Sequence, residues 1–150
     1  MTRTAVDAPT LSICLTCRDG REALHGEARG GERLAQAVLE RLAAAPYRPN
    51  IRLRGVRCMS QCKRPCVAVL SAPGRFAYLF GDLDPANPEH ADALLALAPL
   101  HVAAPEGFLR REERPEALRA RILGRLPPDE TASDLVSPLC AGLASPGAAA

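Results

Sequence analysis

A chain of 150 residues has the length of one domain and can bury a core large enough to fold without disulfides. A formal net charge of +2 is too small to argue for nucleic acid, and a chain without Trp and with two Tyr and three Phe has little to stack on bases. No apolar run approaches the roughly 20 residues of a membrane span, and residues 1–10 lack the basic start and apolar stretch of a secretory leader. A cytoplasmic setting without membrane contact is therefore expected, in which thiols stay reduced.

In chain order, residues 1–10 read as a flexible lead. Leu11 to Cys14 reads as a first strand that closes on the Cys14/Cys17 pair. Arg18 to Gly30 is a glycine-punctuated loop. A helix is predicted from Gly31 or Glu32 to about Ala45, with Leu34, Ala35, Val38, Leu39 and Leu42 on one face, ended by Pro46 and Pro49. Asn50 to Val56 alternates Ile51 and Leu53 with Arg52 and Arg54, which is a strand with one wet face. Cys66 to Ser71 and Phe76 to Phe80 flank the turn Ala72-Pro73-Gly74-Arg75 and read as a hairpin.

Asn87-Pro88-Glu89 marks the start of a second helix, which Pro99 is expected to kink or stop. A third is predicted over about Pro115 to Arg125, with Leu118, Ile122 and Leu126 on one side. Residues 128–150, rich in Ala, Ser, Gly and Pro, read as a disordered tail. There is no internal repeat. The order β-α-β-β-β-α with an extra C-terminal helix is the plan of a single thioredoxin-like α/β domain over residues 11–127. Handedness of the first connection favours parallel pairing of its first two strands.

Chemistry concentrates in the cysteines. Cys58, Cys62 and Cys66 lie between the second and third strands, and Cys14 and Cys17 close the first. If these strands share a sheet, five thiols can gather at one of its ends. Thiolates are soft ligands, and four of them satisfy tetrahedral Zn or the two irons of a [2Fe–2S] cluster. Cysteine as a small core residue suits Cys66 alone. It suits poorly the four thiols at loop-ward strand ends beside Arg18, Arg57, Lys63 and Arg64.

A dithiol redox pair at Cys14/Cys17 is the other chemistry a C-x-x-C offers. That chemistry places the first thiol at a helix N-terminus, whereas Arg18-Asp19-Gly20 follows here. Of the histidines, His25 alone lies near the thiols in sequence; His25, His90 and His101 read first as ordinary structural or solvated residues. Asp82, Asp84 and Glu89 read as an acidic turn and helix cap. Cys140, in the predicted tail, is a poor ligand candidate. No phosphate loop, Ser/His/Asp grouping or spaced carboxylate pair is present, so an electron carrier or metal-binding protein is expected rather than an enzyme.

The run Cys58-Met59-Ser60-Gln61-Cys62-Lys63-Arg64-Pro65-Cys66-Val67-Ala68-Val69 resembles the C-x-x-x-C loop, proline and strand of thioredoxin-like [2Fe–2S] ferredoxins. It is similar too to the related domain of NADH dehydrogenases. More closely, residues from about Leu11 to Pro127 resemble the DUF1636 family of predicted metal-binding proteins. The likeness rests on Cys14-Leu15-Thr16-Cys17, the Cys58/Cys62/Cys66 triple, Leu70-Ser71-Ala72-Pro73-Gly74-Arg75 and Arg114-Pro115-Glu116. The resemblance implies a [2Fe–2S] centre held by Cys14, Cys17, Cys58 and Cys62, with Cys66 adjacent, and one-electron transfer to a redox partner. Zn or Co in a metal-handling module, cobalamin-related and with its own protein partner, is the alternative. The Cys14/Cys17 spacing is tighter than between the ferredoxins' first two ligands, and Cys66 is extra to their pattern. Which four thiols ligate stays open, as does the oligomeric state, a homodimer included. Arg18, Arg21, Arg57, Lys63 and Arg64 flank the proposed ligands and are expected to steer an acidic partner or to be plain solvated cations.

Overall fold

The structure, a computed structural model, describes residues 8–129 and 133–139. Its core is a five-stranded sheet in the order β2-β1-β3-β4-β5. β1 (Thr10–Cys14) pairs in parallel with β2 (Arg52–Val56) and antiparallel with β3 (Ala68–Ser71). β3 and β4 (Ala77–Phe80) form the expected antiparallel hairpin. The segments on either side of the thiol loop are thus strands of one sheet. A β-α-β unit with parallel strands, then a hairpin and a closing helix, is the thioredoxin-like plan.

α1 (Gly30–Ala44) crosses from β1 to β2 and packs beside α2 (Pro88–Ala103). Leu34 and Val38 of α1 meet Leu11, Ile13 and Leu70 in one core. Leu94 and Leu97 of α2 are fully buried in it as well. Each such leucine contributes about 1.5–3 kcal/mol through removal from water. Leu39 departs from the expected face: it is 50% exposed, because the buried stripe of α1 runs through positions 34, 38 and 42 and stops short of it.

The expected cap of α2 is present, with Asn87 Oδ1 accepting the Glu89 amide at 3.0 Å and Pro88 in the first turn. Pro99 does not stop the helix, which runs on to Ala103. The residues beyond it are held from outside: His101 is fully buried, its Nε2 bonds the Phe76 carbonyl at 2.6 Å, and Arg75 donates to the carbonyls of His101 and Ala104. These contacts hold the last turn of α2 in place past the proline.

The third helix is the main correction. Only Glu116–Arg119 is helical (α3), and Ile122–Leu126 is a strand, β5, antiparallel to β4. Leu118, Ile122 and Leu126 stand four apart, which mimics a helix face. The exposed edge of β4 decides instead, because pairing satisfies its backbone groups. What the sequence leads one to expect of residues 1–7, 130–132 and 140–150, Cys140 included, lies outside the described residues. Within 133–139, Ser133 bridges Val136, which packs on the core.

Candidate metal centre

All five predicted thiols are at the same end of the sheet, at two depths. Cys14, Cys17 and Cys66 are buried, whereas Cys58 and Cys62 are exposed on the loop after β2. The two depths follow from the elements. β1 is an interior strand, between β2 and β3, so its last residue is covered on both sides, while the loop leaves the sheet at an edge. Cys66 enters β3 beneath α1, and a β-carbon on Gly30 would stand 2.8 Å from its sulfur. The cis peptide of this stretch joins Pro65 to Cys66.

Short bonds tie the loop to the strand end. The Thr16 hydroxyl donates to the Arg57 carbonyl, and the Met59 amide reaches the Cys14 sulfur. The Val67 amide reaches the Cys17 sulfur, and the Ser60 amide donates to Cys58 Sγ at 3.3 Å. Cys14 and Cys17 also bond each other, and Cys62 lies near enough for its charge to act on Cys17.

These contacts split the thiols electrically. Burial raises Cys14, but hydrogen bonds from Thr16 and Cys17 and from the amides of Thr16 and Met59 outweigh it, and its pKa is lowered. Burial pushes Cys17 up to about 12, helped by its bond to Cys14 and by the Cys14 and Cys62 charges. Burial likewise pushes Cys66 up to about 12, with the Cys17 charge adding to it.

Among the described residues, no three His, Cys, Asp or Glu side chains converge as a ready-made metal cage. The donor set still fits a thiolate-bound centre in kind: four thiols from the end of β1, the turn after it and the loop after β2, with the Ser60 amide donating to Cys58 Sγ. Amide donors to sulfur are how a protein stabilises negative thiolate ligands.

The N-terminus of α1 returns to these thiols in space, which its distance in sequence conceals. The Gly31 amide donates to the Cys17 carbonyl at 3.0 Å, and the Gly30 amide to Glu22 Oε2 at 3.2 Å. Both amides are therefore occupied and activate no thiol. Glu22 is the residue that sequence reasoning missed. It is 8% exposed, and its carboxylate also accepts the amides of Asp19 and Gly20, so one side chain pins the whole loop after Cys17. Arg33 from α1 bonds Asp19 and lies 3.6 Å from Glu22, which compensates the buried charge. An acid between Gly20 and Gly26, eight residues before Gly30, was the only sign of it.

The histidines do not join the site. His25 is exposed, His90 Nδ1 accepts the Asp84 amide at 2.8 Å, and His101 lies under the hairpin. The expected cation ring is partly neutralised, since Arg64 pairs with Asp82 and Arg21 with Asp84. Arg18, Arg57 and Lys63 make no ion pair among the described residues. No described helix is long and apolar enough to cross a membrane.

The sequence model of a family described as "Protein of unknown function (DUF1636)" matches residues 11–128. Among solved structures, the chain is similar to a thioredoxin-like [2Fe–2S] ferredoxin from Aquifex aeolicus at 16% identity. That match covers 83% of this chain and 99% of the other, with a TM-score of 0.46. A second structure, of the wild-type Aquifex aeolicus ferredoxin, matches at 16% identity over 79% of this chain and 98% of that one, with a TM-score of 0.45. No curated protein matches the chain.

Proposed function

The chain belongs to the DUF1636 family, and from that premise we propose that it holds a thiolate-bound metal centre at the thiol end of its sheet, in the form of a [2Fe–2S] cluster. Cys14, Cys17, Cys58 and Cys62 would hold it, and Cys66 packs beside it. Bound there, such a cluster supplies one-electron exchange, which makes the protein a cytoplasmic electron carrier for a redox partner. The observation that carries this reading is the arrival of Cys14 and Cys17 at the end of β1 and of Cys58 and Cys62 on the loop after the parallel β2, at one end of the sheet. Cys14 and Cys17 are fixed by β1 and α1. Cys58 and Cys62 can swing in from the loop, and the charges of Arg57 and Lys63 offset the thiolates.

A thiol–disulfide exchange role is disfavoured. Cys17 is held up near 12, and Cys14, whose pKa is lowered, is only 3% exposed and so shielded from a protein disulfide. The reading with Zn or Co in a metal-handling module draws on the tight Cys14–Cys17 chelate, which suits a single tetrahedral ion. Anaerobic purification with a visible spectrum and metal analysis separates the two. Iron, sulfide and visible absorption together support the cluster. A colourless protein with one Zn per chain supports the module, and a metal-free protein that takes up neither ends both.

A further inference from the structure

β2 ends the sheet, and its partner there is β1. The Arg52 amide donates to the Pro9 carbonyl at 2.9 Å, and the Leu15 amide to the Val56 carbonyl at 2.8 Å. Even-numbered residues of β2 therefore turn their backbone groups to β1. By the alternation of a strand, Leu53 and Gly55 turn theirs away from the sheet. Arg52, Arg54 and Gly55 are exposed, and among the described residues no strand pairs with the outward edge.

The same stretch has a charge asymmetry that the near-neutral total hides. From Arg41 to Gly81 the chain has eight Lys and Arg and no Asp or Glu. Arg41 and Arg64 pair with Asp92 and Asp82, and Arg75 holds carbonyls of α2. Among the described residues, Arg54 donates to the Ser12 hydroxyl alone, at 2.6 Å. Arg48, Arg54, Arg57 and Lys63 have no carboxylate partner among the described residues. Arg48 precedes β2, Arg54 lies on it, and Arg57 and Lys63 lead from its end into the thiol loop.

We propose that the outer edge of β2 docks an acidic extended segment of a partner protein, which adds to the sheet as a sixth strand. The backbone groups of Leu53 and Gly55 supply its main-chain bonds, and the flanking arginines select its charge. A second copy of this chain is excluded from the same edge, because pairing β2 with β2 sets arginine against arginine. Nucleic acid would meet the charge but has no use for an outward row of N–H and C=O groups. The surface does not depend on what the thiols hold.

The test uses the full chain as purified and a fluorescein-labelled peptide alternating Glu and Val, followed by anisotropy at low salt. Three comparisons accompany it: a peptide of equal charge with Pro in place of Val, oligothymidine, and the Leu53→Pro and Arg48→Glu/Arg57→Glu variants. Leu53→Pro removes an outward amide without touching the β1 ladder. Saturable binding that weakens at least tenfold in both variants, and that neither the Pro peptide nor oligothymidine reproduces, is the expected result. If Leu53→Pro does not fold by circular dichroism, a Glu/Val peptide N-methylated along one edge replaces it and should lose binding to the unmodified chain. Absence of binding, equal binding by the Pro peptide or Leu53→Pro, or equal competition by oligothymidine each overturns the proposal.

Discussion

Gly31 stands so close to Cys14 that a β-carbon on it would lie 1.9 Å from the Cys14 carbonyl oxygen. The start of α1 and the thiol-bearing end of β1 are in backbone contact, with no room for a methyl group. Gly31→Ala must therefore push the helix off the strand end. The expected cost is about 1–3 kcal/mol, the range for overpacking a filled interior. Urea unfolding of the two proteins measures it, and a midpoint unchanged by the alanine would show that the contact yields freely.

Ligand assignment is tested by substitution at each thiol. Cys58→Ser and Cys62→Ser should each abolish metal loading, as should Cys14→Ser and Cys17→Ser. Cys66→Ala should keep full metal content, because Cys66 packs against Gly30 and the core. Elemental analysis of the purified variants decides. Full loading in both Cys58→Ser and Cys62→Ser would defeat the assignment.

His101 gives the fold a pH dependence in the direction of its shift. Burial lowers its pKa, and its Nδ1 is buried without a hydrogen-bond partner. Protonation in the folded state would thus bury an unpaired charge. Because the folded pKa is below the unfolded one, the unfolded chain binds the proton first as pH falls. Stability from this group is present above an unfolded pKa of about 6.5 and is lost below it, with a slope of at most about 1.4 kcal/mol per pH unit. His90 is shifted the same way, chiefly by burial, and adds to the slope. Chemical unfolding at pH 7.5 and 5.5 should show a smaller pH effect in His101→Gln than in the parent chain. Equal slopes would assign the dependence elsewhere.

Charge near the centre is tested at Arg18 and Lys63, which make no ion pair among the described residues. Reversing both to Glu should lower the reduction potential of the loaded protein, since nearby cations favour the more negative reduced form. It should also slow electron exchange with an acidic donor at low salt. Stability should move by no more than about 0.5 kcal/mol. Arg64→Glu is the less informative variant, as it also breaks the pair with Asp82. A potential unmoved by the double reversal would leave these residues as solvated cations.

The parts that sequence made legible are those with a local cause. β1, α1, β2 and the β3–β4 hairpin follow from alternation, helical spacing and Pro-Gly turns, and they suffice to bring five cysteines to one end. The misread parts have non-local causes. Ile122–Leu126 has helical spacing, yet becomes β5 because β4 offers an edge to pair with. Pro99 is tolerated because Phe76 and Arg75, from the hairpin, hold the residues past it. Glu22 looks like any loop acid until the backbone folds around its carboxylate. Arg21 and Arg64 look like free cations until Asp84 and Asp82 come up beside them. The depth of each thiol also depends on tertiary structure, since only the strand order puts β1 inside the sheet and leaves the loop at an edge.

That interior place of β1, between β2 and β3, sets a sequence of events in time. Thr10 pairs with both Arg52 and Ser71, so the strand made first waits for residues far downstream before either of its sides is covered. Until Ser71 has been synthesised, Cys14 and Cys17 stand unsheltered in the growing chain, the stage at which stray oxidation or a stray ion would reach them. Late closure of this kind is slow compared with helix formation, because distant pairings must be found before they are rewarded. Ribosome-stalled chains ending near Gly55 should therefore accept a thiol-reactive label at Cys14, and chains extended past Leu126 should refuse it.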